Sequence, residues 1–137
     1  MTYSNFYARF YTSLQRLGEI VNSILKFYPA KLYLAAILLL QALIWFQAIS
    51  INRRLSSDLL ILHYNIDFGV NSVGSPEKIF LYPLLGLAVA IINFVFVTFF
   101  VRRKESKFMA HLFLGSATFF EVFLSLALLA IFLINFR

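Results

Sequence analysis

Three long apolar runs dominate the chain, and each is long enough to cross a lipid bilayer as a helix. Residues 32–51 and 79–101 carry no charged side chain, and residues 112–136 carry only Glu121. At about 1.5 Å of rise per residue, a helix of roughly 20 residues spans a hydrocarbon core of about 30 Å. The pattern therefore predicts transmembrane helices at 31–51, 79–101 and 112–136, joined by an outer loop at 52–78 and an inner loop at 102–111.

The N-terminal segment, residues 1–29, has a different pattern, in which apolar residues recur at alternating spacings of four and three. Such a stripe is typical of one face of a helix, and here it comprises Tyr3, Tyr7, Phe10, Leu14, Leu17, Val21, Ile24 and Tyr28. The pattern predicts an amphipathic helix that Pro29 ends. Two interpretations are open: a helix lying in the membrane interface, or a short coiled-coil seam. The aromatic side chains and the membrane span that follows favour the interfacial helix.

The composition agrees with a membrane protein. Hydrophobic residues make up 61% of the 137 residues and charged residues 13%, whereas soluble domains are about 45–50% apolar and about 25% charged. A soluble chain of this size could not bury so much apolar surface, so the excess must face lipid. The sequence predicts an all-α, polytopic membrane protein that forms one domain over residues 1–137. The absence of cysteine excludes disulfides, thiolate metal sites and thiol catalysis.

The net charge of +6 comes from an excess of Lys and Arg, which lie mostly at the ends of the apolar runs. This placement favours membrane orientation and contact with lipid headgroups, and we expect no nucleic-acid partner. With the N-terminal segment and the inner loop in the cytoplasm, eight of the 12 cationic side chains lie inside; the opposite orientation leaves four inside. Because cytoplasmic segments carry the excess of Lys and Arg, we expect the N-terminus in the cytoplasm and the outer loop and C-terminus outside.

The outer loop holds the densest set of turn residues and the most recognisable motif in the chain. Glycine supplies positive φ, and Asn, Asp and Ser form turns through their own side chains. We therefore expect an ordered loop with irregular or short extended structure. The residues that we expect to carry its role are Asp58, His63, Tyr64, Asn65, Asp67, Gly69, Gly74 and Lys78.

Residues 58–86 resemble a bacterial membrane domain of unknown function that occurs in immunity proteins against the sporulation-delay toxin. The resemblance is carried by Asp58, His63-Tyr64-Asn65, Gly69, Gly74-Ser75, Lys78 and Pro83. The chain departs from that pattern at Ile61, where the domain has proline, at Asn71, near an acidic position, and by one extra residue between Asn65 and Gly69. It also lacks the longer helical region of the immunity proteins.

The whole chain also resembles small bacterial three-helix membrane proteins that share an LHYN-x-x-FG core. Both resemblances imply a multi-pass protein of a bacterial cytoplasmic membrane. Neither resemblance implies a reaction.

Catalytic chemistry has little support in the sequence. His63 and Asp67 are two potential metal ligands, but a pair without a second histidine nearby favours a loop stabilised by hydrogen bonds to backbone. No phosphate loop, dinucleotide fingerprint, zincin motif or nucleophile elbow occurs, so we expect no cofactor, metal or catalytic residue. The sequence favours a non-enzymatic protein that binds or modulates another membrane protein or a second copy. The alternatives are an accessory subunit or small transporter that uses Glu121, and a membrane enzyme that uses His63.

Three polar residues within the apolar runs, Gln41, Asn93 and Glu121, are expected at one depth in the membrane. Each lies nine or ten residues from the polar residue taken as the inner end of its helix, which is about 13–15 Å along the axis. A carboxyl group at this depth costs about 2.5–3.5 kcal/mol on insertion scales, so Glu121 should face the bundle interior. We expect a protonated Glu121 that hydrogen-bonds Asn93, with Gln41 adjacent. The layer would serve helix packing, with proton or ion handling and contact with a partner subunit as alternatives.

Overall fold

The chain forms a bundle of helices with a β-hairpin at one end. The computed structural model describes residues 3–55, 60–65 and 69–136, and side chains within 7–55, at 61 and within 74–136. In this part of the chain the elements are α1 (Tyr3–Lys26), α2 (Tyr28–Arg54), β1 (Leu60–Asn65), β2 (Gly69–Gly74), a 3₁₀ helix (Pro76–Phe80), α3 (Leu81–Phe100) and α4 (Ser106–Asn135). The helical segments Tyr28–Arg54, Pro76–Phe100 and Ser106–Asn135 are long and apolar enough to cross a membrane. The all-α fold class is therefore confirmed.

The helix boundaries differ from the expected ones at two junctions. A single residue, Phe27, separates α1 from α2, and its N–H donates to Ile24 O at 3.0 Å. Pro29 lies in the first turn of α2, where its missing N–H removes no helical hydrogen bond, so it begins a helix instead of ending one. The fourth helix starts at Ser106, inside the predicted inner loop, because the chain already packs against the bundle there: Ala110 is only 4% exposed.

The fourth helix is the centre of the bundle. It packs along α2 on one side and along α3 on the other. The loop-end core lies near the hairpin and comprises Ile44, Ala48, Ile51, Leu55, Ile79, Leu124, Leu128 and Ile131. The opposite core lies near the α1–α2 junction and comprises Ile24, Ala30, Ile37, Val97, Ala110, Leu114 and Ala117.

Large apolar side chains also cover the outside of the bundle. Leu39 is 73% exposed, Phe46 68% and Phe119 66%. Such a surface is stable when it faces lipid, since the backbone polar groups of each span are satisfied within the helix. The protein is therefore a multi-pass membrane protein.

The first helix contacts the bundle near its C-terminal end. Ile24 is 3% exposed and belongs to the opposite core. Earlier in the helix, Leu14 and Leu17 are 50% and 55% exposed. An apolar stripe that the bundle leaves uncovered favours the interfacial interpretation of α1.

Candidate functional site

A cluster of buried polar groups lies where α2, α3 and α4 meet inside the bundle. Glu121 of α4 is 1% exposed, and Gln41 of α2 is 9% exposed. Ala117, one turn before Glu121, is fully buried and allows close helix approach because its side chain is small. Gly86 of α3 completes the site, which we name the Gln41–Gly86–Glu121 cluster.

Gly86 marks the place where the backbone of α3 comes closest to the two polar side chains. A Cβ atom at this position would lie 2.9 Å from Gln41 Oε1, 2.9 Å from Glu121 Oε2 and 3.0 Å from Glu121 Oε1. These separations are shorter than ordinary contacts between carbon and oxygen, so any side chain at position 86 would displace the Gln41 and Glu121 oxygens. The oxygens of two helices therefore converge on one point beside the third helix.

The cluster holds more hydrogen-bond acceptors than donors. Gln41 Nε2 donates to the backbone oxygen of Pro83 at 2.6 Å, which holds the Gln41 side chain against α3. Among the described residues, Gln41 Oε1 and both carboxyl oxygens of Glu121 have no hydrogen-bond partner. An unpaired buried acceptor costs about 1–3 kcal/mol, and three together form a set that can accept a proton or another hydrogen-bond donor.

Asn93 lies outside this cluster, so the expected hydrogen bond between Asn93 and Glu121 is wrong. Asn93 Nδ2 donates to Val89 O at 2.9 Å, and Ser116 Oγ donates to Asn93 Oδ1 at 3.2 Å. Asn93 follows Gly86 by two turns of α3, about 10 Å along the axis at 1.5 Å per residue. The polar residues therefore form two levels instead of one.

The helices begin and end at residues other than the charged and polar ones that flank the apolar runs, and this changes the depths. Gln41 is 13 residues from the start of α2 and Glu121 is 15 residues from the start of α4. Asn93 is only seven residues from the end of α3. At about 1.5 Å per residue, Asn93 lies about 9–12 Å nearer its helix end than the other two.

Two further polar contacts between helices were missing from the sequence interpretation. Ser125 Oγ donates to Gln47 Oε1 at 3.2 Å, joining α4 to α2. Near the α1–α2 junction, Tyr33 Oη and His111 Nδ1 share a hydrogen bond of 3.1 Å. The His111 ring also meets the edge of Phe27, with 5.2 Å between ring centroids. Tyr33 and Gln47 are polar groups within the apolar run 32–51, and this is the signal that could have identified them.

The second candidate site is the hairpin, which the last turn of α4 holds in place. Asn135 Oδ1 accepts the N–H of Ile61 at 2.9 Å, and Asn135 Nδ2 donates to Ile61 O at 2.9 Å. One side-chain amide thus pairs with both backbone groups of a strand residue, as a neighbouring strand would. The same Nδ2 also donates to Ile131 O at 2.8 Å, which fixes the amide on its own helix.

The loop is also anchored where it leaves and rejoins the helices. Leu55 is 6% exposed and Ile79 is fully buried, and both belong to the loop-end core. Arg54 lies over the rings of Phe132 and Phe136, at 5.3 Å and 5.8 Å from their centroids. Packing at both ends and the Asn135 contact together position the hairpin on the bundle.

The hairpin contains the residues of the LHYN motif and has an irregular register. In the antiparallel pair, Ile61 faces Val73, His63 faces Ser72, and Tyr64 faces Val70. The register shifts on both sides of His63, so Leu62 of β1 and Asn71 of β2 fall outside the pairing, as residues of a β-bulge do. Bulges bend a strand and occur often beside functional sites.

The predicted loop residues have different outcomes. His63, Tyr64 and Asn65 lie in β1, and Gly69 and Gly74 lie in β2, in agreement with short extended structure. Lys78 lies in the 3₁₀ helix and is exposed. Asp58 and Asp67 lie outside the described residues, and so does the side chain of His63. The metal pair of His63 and Asp67 and the enzyme alternative stay predictions.

No protein-family model, curated protein or solved structure matches the chain.

Proposed function

We propose that the protein is a non-enzymatic integral membrane protein that binds a partner through its hairpin. The observation that carries this proposal is the paired hydrogen bonding of Asn135 to both backbone groups of Ile61. A binding surface that is already ordered loses less entropy on association than a flexible loop does. The two register shifts beside His63 bend the hairpin locally, as is common beside binding sites.

The partner that fits this arrangement is another membrane protein or a second copy of the chain. The hairpin connects two membrane helices, α2 and α3. A partner that contacts the hairpin therefore also lies beside the exposed apolar faces of those helices. The resemblance of residues 58–86 to a domain of toxin-immunity proteins supports a modulatory role of this kind.

Removing the Asn135 amide is expected to release the hairpin and weaken partner binding. A photo-crosslinking amino acid in place of Tyr64 should give discrete protein adducts in native membranes, and Asn135→Ala should reduce them. Each of the two lost hydrogen bonds contributes about 1 kcal/mol net, so the equilibrium between docked and released hairpin should shift roughly thirtyfold towards the released form. Amide hydrogen exchange of β1, measured by mass spectrometry in nanodiscs, should rise with the same substitution.

A matched control is Asn93→Ala, which removes hydrogen bonds to Val89 and Ser116 and leaves the hairpin contact intact. It should change neither the adducts nor the exchange of β1. If Asn135→Ala raises the amide exchange of β1 but gives the same adduct yield as the wild type, binding does not need the docked hairpin. The absence of adducts from a chain that carries the photo-crosslinking residue in place of Tyr64, and is otherwise wild type, would contradict the proposal directly.

The second candidate is an accessory subunit or small transporter that uses Glu121. The observation that favours it is the buried carboxyl group of Glu121, whose two oxygens have no hydrogen-bond partner among the described residues and lie near a third unpaired acceptor, Gln41 Oε1. A partner-binding protein tolerates Glu121→Gln, whereas proton or ion coupling requires the titratable carboxyl and would be lost. Flux measured in proteoliposomes containing the wild type and this variant separates the two.

We also propose that the N-terminus lies in the cytoplasm and that the hairpin and C-terminus lie outside, in a bacterial cytoplasmic membrane. The distribution of the 12 Lys and Arg residues supports this orientation. An alkaline phosphatase fusion, active only outside, should be silent after Lys104 and active after Arg137. A fluorescent reporter active only in the cytoplasm should show the opposite result, and exchanged outcomes would reverse the topology.

A further inference from the structure

A cavity at the end of the bundle opposite the hairpin combines cationic and apolar walls. It has a volume of about 260 Å³ and lies between the last turn of α1, the end of α3 and the start of α4. Its polar wall contains Ser23, Lys26, Ser106 and Lys107, and its apolar wall contains Ile24, Phe27, Val97, Val101 and Ala110. In the described part of the chain, no acidic side chain lines it.

We propose that this cavity binds the headgroup of an anionic phospholipid. Two ammonium groups and two hydroxyl groups are suitable partners for a phosphate diester, because lysine acts as a point charge and serine donates a hydrogen bond. The volume is slightly below the range of about 300–1,000 Å³ that holds drug-sized ligands, which suits a headgroup rather than a whole lipid.

The walls that carry the two lysines are fixed relative to each other. Lys26 precedes the one-residue junction in which Phe27 N–H donates to Ile24 O and Ala30 N–H donates to Phe27 O, each at 3.0 Å. The Phe27 ring meets His111 of α4 edge-on, which ties this junction to the helix that carries Lys107. The cavity is therefore a formed feature of the bundle.

The membrane supplies the rest of the ligand. Val97 and Ala110 line the cavity and are buried, while Phe96 and Phe99, on neighbouring positions of α3, are 45% and 68% exposed. An acyl chain leaving the cavity would run along such an apolar helix surface. Basic pockets between helices at a membrane surface are known to recognise anionic headgroups. Lipid binding in this cavity does not depend on the role of the hairpin.

The test is retention of defined lipids by the purified full-length chain. Native mass spectrometry in detergent would compare phosphatidylglycerol with phosphatidylethanolamine, each titrated onto delipidated protein. We expect phosphatidylglycerol to be retained preferentially, and Lys26→Gln with Lys107→Gln to weaken its binding roughly thirtyfold. Both lysines are exposed, so the double variant should fold, and size-exclusion chromatography checks this.

The matched control is Arg102→Gln with Lys104→Gln, which removes the same charge from exposed neighbouring positions outside the cavity lining. Its phosphatidylglycerol binding should fall less than the cavity variant's. Equal loss in the two double variants would show general surface attraction and overturn the site. Complete displacement of the lipid by inorganic phosphate at cellular concentration would identify a soluble-anion site and also overturn it.

Discussion

Replacing Gly86 with alanine is expected to destabilise the bundle by about 1–3 kcal/mol, the usual effect of overpacking. The new Cβ would lie 2.9–3.0 Å from Gln41 Oε1 and both carboxyl oxygens of Glu121. Glycine-to-alanine changes within a helix normally gain about 1 kcal/mol from backbone propensity. Here the contact outweighs that gain, since Glu121 is 1% exposed and Gln41 cannot move without weakening its bond to Pro83 O.

Gly115→Ala is the matched control, because Gly115 also lies in a membrane helix and a Cβ there would be 3.8 Å from the Tyr33 ring. It should be neutral or slightly stabilising when unfolding is followed by SDS titration in micelles. The double variant Gly86→Ala with Glu121→Ala should lose less stability than the sum of the losses in the two single variants, by more than about 0.5 kcal/mol. Additive effects, or an unaltered Gly86→Ala protein, would contradict the close contact described here.

The membrane spans and the meeting of Gln41 with Glu121 could be predicted from the sequence for a simple reason. An uncharged run of 20 residues has few other stable environments, and two polar residues at matching depths in such runs must avoid lipid. Gly86 could not be identified in this way. Glycine carries no polar group, and its position opposite the two side chains depends on the rotation of α3, which depth alone does not determine.

The hairpin shows another limit of the sequence interpretation. Alternating turn and apolar residues indicated an ordered loop with extended pieces, and the strands β1 and β2 agree with that. The role of Asn135 was not predicted, because an asparagine at the end of an apolar run resembles an ordinary helix end. The Asn135–Ile61 contact spans 74 positions in sequence, and no local pattern encodes a pairing at that separation.

Replacing Glu121 with glutamine is expected to stabilise the protein by about 1–3 kcal/mol, the cost of an unpaired buried polar group. Glutamine keeps the shape of the side chain and brings an N–H donor to a cluster in which Gln41 Oε1 has no hydrogen-bond partner among the described residues. Glu121→Leu is the comparison variant, because it removes both unpaired carboxyl oxygens but leaves Gln41 Oε1 without a donor. SDS titration should rank Glu121→Gln above the wild type, and Glu121→Leu shows how much of that gain comes from losing the carboxyl group alone.

The same variant separates structural from functional use of the carboxyl group. If the protein binds a partner through the hairpin, Glu121→Gln should give wild-type crosslinking at Tyr64, because the substituted group lies in the middle of α4, away from the Asn135 contact. A less stable Glu121→Gln protein would mean that the carboxyl group makes a favourable interaction that an amide cannot replace. A stable variant that loses flux in proteoliposomes would assign Glu121 to proton or ion coupling, since a group kept at such cost to stability is expected where its titration is used.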